Sequence, residues 1–475
     1  MAASIQVSVK ASNVCLSCRV RKQKCDRALP KCSRCAAKLK HCDYTVHTNL
    51  SCHAYNDQPV EALIQRRPSG YDLSWRSSAG LLQAVYEIQQ SSFINLVYRI
   101  LDLTGVTVPH LIQDYFVKIH PWFPVLGRNL LQESCSTLSI GSKPSSLLRL
   151  LAILLVTRHP CGPEEHPTTS VLYTTLKQLV VTSRPVADSC CDLLQCNLLI
   201  ALYEYGQGLT NEAFLTLGSS VALQKLASSF MRQIRSSEAY IPDISHYENI
   251  ILILDRTISW SGLDHPTPLN CYPQESTDEG FQFDLPSLNR TLSMSLDDTL
   301  KRLQLTCQVA LTTGQAFQYL YEVKDGNNLS TELDVHVRRV ENMVAALMRE
   351  KQSHSWMFCD GIAMGLSCLL ALHQTVVKQA NAPLGSQEHL ALRSSQRMAW
   401  EICKVSMEMI NPSSVSQLSF VGMCYVFRAA VVLSDSLGLD VVVEDLEELL
   451  PTLRCFSERW AVGVEYLRHI ELSGK

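Results

Sequence analysis

Hydrophobic residues recur at helical spacing through most of the chain after residue 109. In one stripe, apolar residues follow one another at alternating steps of four and three, which is the spacing of one helix face: Leu333, Val337, Val340, Val344, Leu347. A second stripe has similar spacing: Leu300, Leu303, Cys307, Ala310, Phe317, Leu320. No alternating apolar and polar run bounded by hairpin turns stands out, and no repeat of about 20 to 50 residues is evident. The pattern predicts a large all-α body over residues 109–475.

Between residues 43 and 78 the helical pattern stops. Two prolines and a glycine lie there among many serine, asparagine and histidine residues, a composition typical of a linker. The segment 80–103 regains helical spacing, but heptads counted from Val85 and Ile88 reach polar residues, so no coiled-coil seam continues. We predict a flexible linker with one short helix over residues 43–108. A monomer and a homodimer formed through the body both remain open.

The composition favours a folded chain outside the membrane. Of the 475 residues, 46% are hydrophobic and 18% are charged, unlike the low hydrophobicity and high net charge of a disordered chain. The first ten residues lack the pattern of a signal peptide, and residues 1–14 are predicted to be disordered. The longest purely apolar run, Leu150 to Val156, is too short to span a bilayer. We therefore expect a soluble, unsecreted protein with no membrane partner.

Six of the 19 cysteines fall within residues 15–42, in two copies of the unit Cys-x2-Cys-x6-Cys: Cys15, Cys18, Cys25, Cys32, Cys35, Cys42. Zinc prefers four tetrahedral thiolates, and six sulfurs can serve two zinc ions only if two thiolates are shared. The residues between these cysteines form almost no apolar face, so metal has to replace a hydrophobic core. The spacing therefore predicts a binuclear zinc cluster.

Charge is divided unevenly along the chain. Residues 1–50 hold ten basic and two acidic side chains, a net charge of +8, whereas the other 425 residues carry −11. This division suggests a basic arm that binds a polyanion, attached to an acidic body. A solvated basic N-terminus is the alternative that charge alone leaves open.

The segment CLSCRVRKQKCDRALPKCSRCAAKLKHC, Cys15 to Cys42, resembles the DNA-binding module of the fungal zinc binuclear cluster transcription factors. The resemblance implies that Cys15 and Cys32 bridge two Zn2+ ions, that Cys18 and Cys25 complete one site, and that Cys35 and Cys42 complete the other. Pro30 matches the loop proline of the family. A structural zinc knot, a metal store and disulfide pairing are the alternatives, but none of them needs basic residues between its cysteines.

The resemblance further implies that Arg21 and Lys22 contact a CGG-type triplet in the major groove, where basic side chains donate to guanine acceptors. Of these two we favour Lys22. The other basic residues of the module suit phosphate contacts: Arg19, Lys24, Arg27, Lys31, Arg34, Lys38, Lys40. One module reading three base pairs has little specificity, so a second module or a partner is implied.

Two segments of the body resemble the middle regulatory region of the same family. One is LIQDYFVKIHPWFPVL, Leu111 to Leu126, with a predicted buried face of Leu111, Ile112, Tyr115, Phe116 and Ile119. The other comprises Ala201–Ala227 and Ile251–Asn270, where His246 to Asn249 depart from the family pattern. The resemblance implies a nuclear activator of RNA polymerase II that contacts the transcription machinery or co-regulators and regulates a gene cluster for a secondary metabolite.

Other features of the chain have plainer interpretations. The remaining cysteines are expected to fill the core, with redox sensing as the alternative. Asp255 and Arg256 are predicted to form a local ion pair or cap, and Val441–Leu450 an ordinary acidic helix rather than an activation region. No hydrolase, zinc-protease or phosphate-loop motif is present, and the glycines Gly206 and Gly208 fail the dinucleotide fingerprint. We therefore predict no enzyme. A binding module without regulatory output, such as a repressor or a metabolite sensor, is the other alternative.

Overall fold

A computed structural model describes the following residues: 14–15, 17–18, 21–28, 31–38, 42, 97, 100–101, 104–128, 144–158, 170–183, 185–186, 189–234, 245–261, 268–271, 290–294, 296–324, 330–350, 357–412, 414–434 and 447–473. The chain divides into two compact units, Met1–Gln58 and Pro59–Lys475. Across the described residues both units are helical, and no β-strand of more than one residue forms. The predicted mainly all-α fold is confirmed, whereas the division into four segments stays a prediction.

The N-terminal unit has one short helix with both ends defined, α1, Ser33–Ala37. The helices of the larger unit follow in chain order: α2 Val108–Lys118, α3 Pro144–Thr157, α4 Val171–Thr182, α5 Cys190–Gly206, α6 Thr210–Ile234, α7 Ser245–Ser261, α8 Asp298–Lys324, α9 Ser330–Glu350, α10 Cys359–Ala380, α11 Gln387–Met409, α12 Phe420–Ser434, α13 Leu450–Arg459, α14 Val462–Ser473.

Two helices organise the packing of the larger unit. Helix α5 contacts α3, α4, α6 and α7, and α10 contacts α8, α9, α11 and α12. Helix α7 packs against α5, α6, α8 and α12, and so joins the two groups. Helices α5 and α12 are buried on nearly every side, which is the position expected of helices that are apolar all round.

The predicted apolar stripes face this core. Four members of the first stripe, Leu333, Val340, Val344 and Leu347, are buried on α9, and Val337 is partly buried. The second stripe lies on α8, with its members from Leu303 to Leu320 buried. Because α9 is polar on its other side, burial of its stripe fixes which face of α9 is turned inward, whereas α8 is buried on most of its surface.

The core of the larger unit begins before residue 109, where we predicted the body to start. Val97 and Leu101 are helical and are 1% and 2% exposed in the same cluster as the body helices. Both lie in the segment 80–103, for which the sequence predicted a helix. Part of the predicted linker therefore contributes apolar surface to the body.

Local sequence sets several helix ends. Thr107 caps α2 because its hydroxyl accepts a hydrogen bond from the His110 N–H. After α5, Gly208 has a φ of 76° and Leu209 N–H donates to the Glu204 carbonyl over 2.8 Å. A left-handed residue followed by such a bond ends a helix, and glycine takes this conformation without strain. Gly208, one of the two glycines that do not fit the dinucleotide-binding fingerprint, therefore lies in the turn between α5 and α6.

Among the described residues, one helix, α10, is long and apolar enough to cross a membrane by length and composition. Of its most apolar 18-residue window, 78% is buried within the protein. A central helix of a helical body has the same length and composition, and α10 packs against four neighbouring helices. The high hydropathy of α10 is therefore that of a helix buried in the core of the body.

Candidate metal centre and nucleic-acid interface

Each Cys-x2-Cys pair occupies one turn of helix. The Cys18 N–H donates to the Cys15 carbonyl over 3.1 Å, and Ser17 and Cys18 are helical. In the second pair, Cys32 is the N-cap of α1, and its sulfur accepts a hydrogen bond from the Cys35 N–H at 3.4 Å. Residues three apart share a helix face, so each turn presents two sulfurs on one side. The two sequence units thus build two similar halves.

The four sulfurs of these pairs form one buried group. The Cys15 sulfur lies 3.7 Å from that of Cys32 and 3.8 Å from that of Cys35, and the Cys18 sulfur lies 3.7 Å from that of Cys32. A tetrahedron of thiolates with Zn–S bonds of about 2.3 Å has edges of about 3.8 Å. A disulfide would require about 2.05 Å. The spacing therefore fits thiolates that surround a metal.

The other two cysteines of the motif lie at the edge of this group. Cys25 and Cys42 are partly buried against the four buried cysteines. The Cys32 N–H donates to the Cys42 sulfur over 3.2 Å, and the Cys25 sulfur belongs to a second set with Asp26 and the Cys32 sulfur, in which all ligand atoms lie within 4.8 Å. All six predicted ligands therefore come together in one cluster.

Cys32 is the one cysteine common to both sets of candidate ligand atoms. Its sulfur is close to those of Cys15 and Cys18, and it also lies near that of Cys25. A thiolate that bridges two metals needs such a central position. The assignment of Cys15 and Cys32 as bridges stays a prediction, and this geometry supports it.

The thiols of the cluster differ in acidity. Burial raises the pKa of Cys32, but hydrogen bonds from the Cys35 N–H and from the thiols of Cys15 and Cys18 outweigh burial and lower this pKa to about 6. Burial raises the pKa of Cys18 to about 11. Because zinc binds thiolates, metal binding has to displace the proton from groups such as Cys18. Zinc uptake by this cluster is therefore coupled to proton release.

Asp26 has a role that the sequence analysis did not identify. Its carboxylate accepts a hydrogen bond from the Ser33 N–H, 3.2 Å from each oxygen, and another from the Ser33 hydroxyl. The bonds from Ser33 also lower the pKa of Asp26 below its usual value. These bonds close the loop between the third cysteine and α1. In the sequence, this role of Asp26 was indicated only by its position directly after the cysteine ligand Cys25.

The described basic side chains of the module are exposed to solvent. Seven of the nine basic residues named for DNA contact are exposed: Arg21, Lys22, Lys24, Arg27, Lys31, Arg34, Lys38. Arg19, like Lys40, lies outside the described residues, as does Pro30. With sulfurs buried inside and cations outside, the module presents a positive surface whose shape depends on its cysteine cluster.

Lys22 has an uncommon backbone conformation. Its φ is 48°, in the left-handed region, and the Gln23 N–H donates to the Cys18 carbonyl over 2.9 Å. This is the arrangement that ends a helix at a left-handed residue. Lys22 therefore lies at the end of the helical turn that begins at Cys15, and its side chain is exposed to solvent there.

The body contains an ion pair and a turn at the positions singled out by sequence. Arg256 donates to Asp255, and the Asp255 carboxylate also accepts from Asn270 N–H at 2.9 Å, so the pair holds the loop 268–271 on α7. In the segment after α2, the Tyr115 hydroxyl donates to the Phe123 carbonyl and accepts from the Leu126 N–H. Leu111, Tyr115 and Ile119 are buried, and Ile112 and Phe116 are partly buried.

The described cysteines of the body are mostly buried. Burial raises the pKa of Cys190 to about 11 and that of Cys403 to about 12, which is typical of unreactive core thiols. Leu449, of the predicted acidic helix, is also buried. Residues 441–446 of the predicted acidic helix lie outside the described residues, as does Cys52.

Comparison with known proteins agrees with this geometry. Residues 13–51 match the fungal Zn(2)-Cys(6) binuclear cluster domain. A protein of Botryotinia fuckeliana (strain B05.10), the transcription factor BOA15, is 33% identical over 109 residues, which are 23% of this chain and 60% of that protein. The chain thus spans about 60% of the length of this relative. No solved structure matches the chain.

The matched segment contains all six cysteines that the structure gathers into one metal-binding group. A cluster of this kind binds two zinc ions, which supply the cross-links that the missing apolar core of the module cannot. In its cysteine spacing and in the geometry of its cluster, the segment 13–51 is similar to the fungal Zn(2)-Cys(6) binuclear cluster domain.

Proposed function

We propose that the protein is a nuclear, sequence-specific DNA-binding transcription factor and not an enzyme. The observation that carries the proposal is that the module combines a buried cysteine cluster with many exposed basic side chains. Residues 15–42 hold nine basic side chains and one acidic one. Two zinc ions and six thiolates reduce this net charge by two, so about +6 remains for the DNA backbone. The similarity to a transcription factor of Botryotinia fuckeliana supports the same function.

Within this function, Lys22 and Arg21 read a CGG-type triplet from the major groove. Lys22 leaves the module at the end of a helical turn, and a flexible ammonium there is suited to the O6 and N7 acceptors of guanine. Arg19, Lys24, Arg27, Lys31, Arg34 and Lys38 contact phosphates. Such contacts fix the position of the module on the duplex without reading sequence.

The remaining 425 residues, with a net charge of −11, form the regulatory part. In the proposal, this part activates RNA polymerase II through the transcription machinery or co-regulators. Its targets are biosynthetic genes of a secondary metabolite. Resemblance to the middle regulatory region of the family supports this assignment. A three-base-pair triplet alone is too short for specificity, so either a homodimer or a further partner supplies the second contact.

The test is selection of binding sites from a random pool of duplex DNA by the zinc-loaded full-length protein. We expect enrichment of CGG triplets. Paired triplets at a fixed spacing would indicate a homodimer, and a single triplet would indicate a monomer. Absence of any enriched sequence contradicts the proposal.

Two variants of Lys22 separate its ammonium from its backbone. Lys22→Ala removes the ammonium but keeps a β-carbon in the left-handed conformation, whereas Lys22→Gly removes the ammonium and relieves the backbone. We expect both variants to lose the preference for CGG while they keep salt-dependent binding to any duplex. If Lys22→Gly selects the same sites as the unmodified protein, Lys22 does not read the triplet.

A further inference from the structure

The Asp26 carboxylate joins the two halves of the cysteine cluster. Asp26 directly follows Cys25, and Ser33 directly follows Cys32. The carboxylate accepts from the backbone N–H of Ser33 at 3.2 Å and from its hydroxyl, and it also lies 3.5 Å from the Ala28 N–H. A single carboxylate therefore closes the loop 26–33 at its base.

The same carboxylate lies beside the metal ligands. A carboxylate oxygen of Asp26 and the sulfurs of Cys25 and Cys32 all lie within 4.8 Å of one another. By binding Ser33, Asp26 also fixes the distance between Cys25 and Cys32, which directly precede Asp26 and Ser33. Outer groups that orient the ligands of a metal in this way commonly change metal affinity by about 10 to 100-fold when they are removed.

Cys25 depends on this support more than the buried cysteines do. It is only partly buried, whereas Cys15, Cys18, Cys32 and Cys35 are at most 3% exposed. The backbone on both sides of Cys25 is left-handed, at Lys22 and Arg27, a conformation that side chains disfavour. Burial therefore holds the Cys25 sulfur less firmly than it holds those four, and the hydrogen bonds of Asp26 restrain the backbone directly after Cys25.

We propose that Asp26 is a positioning residue of the metal centre, whose bonds to Ser33 slow the release of the one zinc ion that Cys25 helps to hold. In this assignment Asp26 is not itself a zinc ligand, because six thiolates with two of them shared already give each zinc ion four ligands, and the carboxylate accepts hydrogen bonds from Ser33 instead. The inference concerns zinc retention without DNA. It would therefore stand if the selection of DNA sites failed, and it could fail while that selection succeeded.

The test measures zinc transfer from the full-length protein to the chromophoric chelator 4-(2-pyridylazo)resorcinol in excess. For Asp26→Asn we expect one zinc ion per chain to leave about tenfold faster than in the unmodified protein, while the second leaves at its original rate. Ser33→Ala, which keeps the backbone bond to the carboxylate, should give a smaller acceleration of the same phase. Ser33→Thr keeps the hydroxyl and should restore the original rate.

Two comparisons keep the result specific. In the double variant Asp26→Asn with Ser33→Ala, the second substitution should add less than it does alone, because both weaken the same set of bonds between Asp26 and Ser33. If Asp26→Asn no longer retains two zinc ions after purification, Ser33→Ala and Ser33→Thr carry the test. Unchanged release in all variants, or equal acceleration of both zinc ions, would overturn the proposal.

A spectrum separates positioning from ligation. With Co2+ in place of zinc, the ligand-field absorption of the full-length protein reports the atoms that bind the metal. Asp26→Asn should leave the position of these bands unchanged, because the thiolate set is the same. A shift of the bands on substitution would identify Asp26 as a ligand and contradict the role proposed here.

Discussion

The Cys32 sulfur lies 3.7 Å from the Cys15 sulfur, at the buried centre of the N-terminal cluster. Cys32 also belongs to the set that includes Cys25, and its N–H donates to the Cys42 sulfur. Because Cys32 contacts cysteines of both halves, removing it should disturb both halves of the cluster. Its position is the basis for a prediction that separates bridging from terminal ligands.

Cys32→Ser should remove more zinc than Cys42→Ser does. If Cys32 bridges, its loss affects both metal sites, whereas loss of the terminal Cys42 leaves four thiolates for one zinc ion. We expect purified Cys42→Ser to hold about one zinc ion per chain and Cys32→Ser less than one, measured by atomic emission against protein concentration. Equal zinc content in the two variants would show that Cys32 is a terminal ligand.

Phosphate contacts predict a change in salt dependence. Lys24→Ala should weaken binding to every duplex by a similar factor and lower the slope of log K against log salt by about 1, because one fewer counterion is released. Lys22→Gly should instead reduce discrimination between CGG and altered triplets. Titrations of the two variants against both duplexes over a range of salt concentrations check this, and interchanged phenotypes would reverse the two assignments.

The sequence was sufficient to predict the metal cluster and the helical body. Six cysteines in a duplicated unit limit the ligand sets strongly, and the stripe from Leu333 to Leu347 specifies a helix and its buried face. Both signals are local, since each is complete within about 30 residues of chain. The structure therefore agrees with the sequence in the features that short-range spacing determines.

Contacts between distant or unpatterned residues could not be predicted in this way. The bond from Ser33 to Asp26 depends on the path of an irregular loop, and the contact of Asp255 with Asn270 joins a helix to a loop 15 residues away. Neither has a periodic signal. The segment 80–103 has helical spacing, but this spacing did not indicate that Val97 and Leu101 are buried in the same core as the body helices.

Loss of Asp255 should destabilise the body strongly. Asp255 and Arg256 are each about 1% exposed, and the carboxylate holds the loop residues Asn270 and Cys271. Asp255→Ala would leave a buried guanidinium without its counter-charge, which costs about 3 to 5 kcal/mol. Urea unfolding measures the loss. Glu471→Gln, which removes the exposed pair with Arg454, should cost less than about 1 kcal/mol.

Gly206 should not tolerate a side chain. A β-carbon there would overlap the ring of Trp460, with 2.6 Å to its Cζ3 atom, and both residues lie in the core. Overpacking of this kind costs about 1 to 3 kcal/mol. We expect Gly206→Ala to lower the melting temperature by several degrees. Gly127→Ala, where nothing lies within 4 Å of the new β-carbon, is the matched control and should melt with the original protein.

His120 should make the stability of the body depend on pH. Burial and the nearby Arg128 lower the pKa of His120 to about 4, whereas an unfolded histidine has a pKa of about 6.5. Between these values the unfolded chain binds the extra proton, so stability is present above pH 6.5 and is lost as the pH falls toward 4.

The His120→Phe variant tests this dependence. Phenylalanine keeps a ring beside Tyr115 and Phe116, whose centroids lie 5.8 and 4.8 Å from that of His120, but it cannot be protonated. Melting temperatures of both proteins are compared from pH 4 to pH 7. The difference between them should be constant above pH 6.5 and should shift in favour of the variant at lower pH. A difference that stays constant over the whole range would mean that His120 is protonated equally in the folded and unfolded chains.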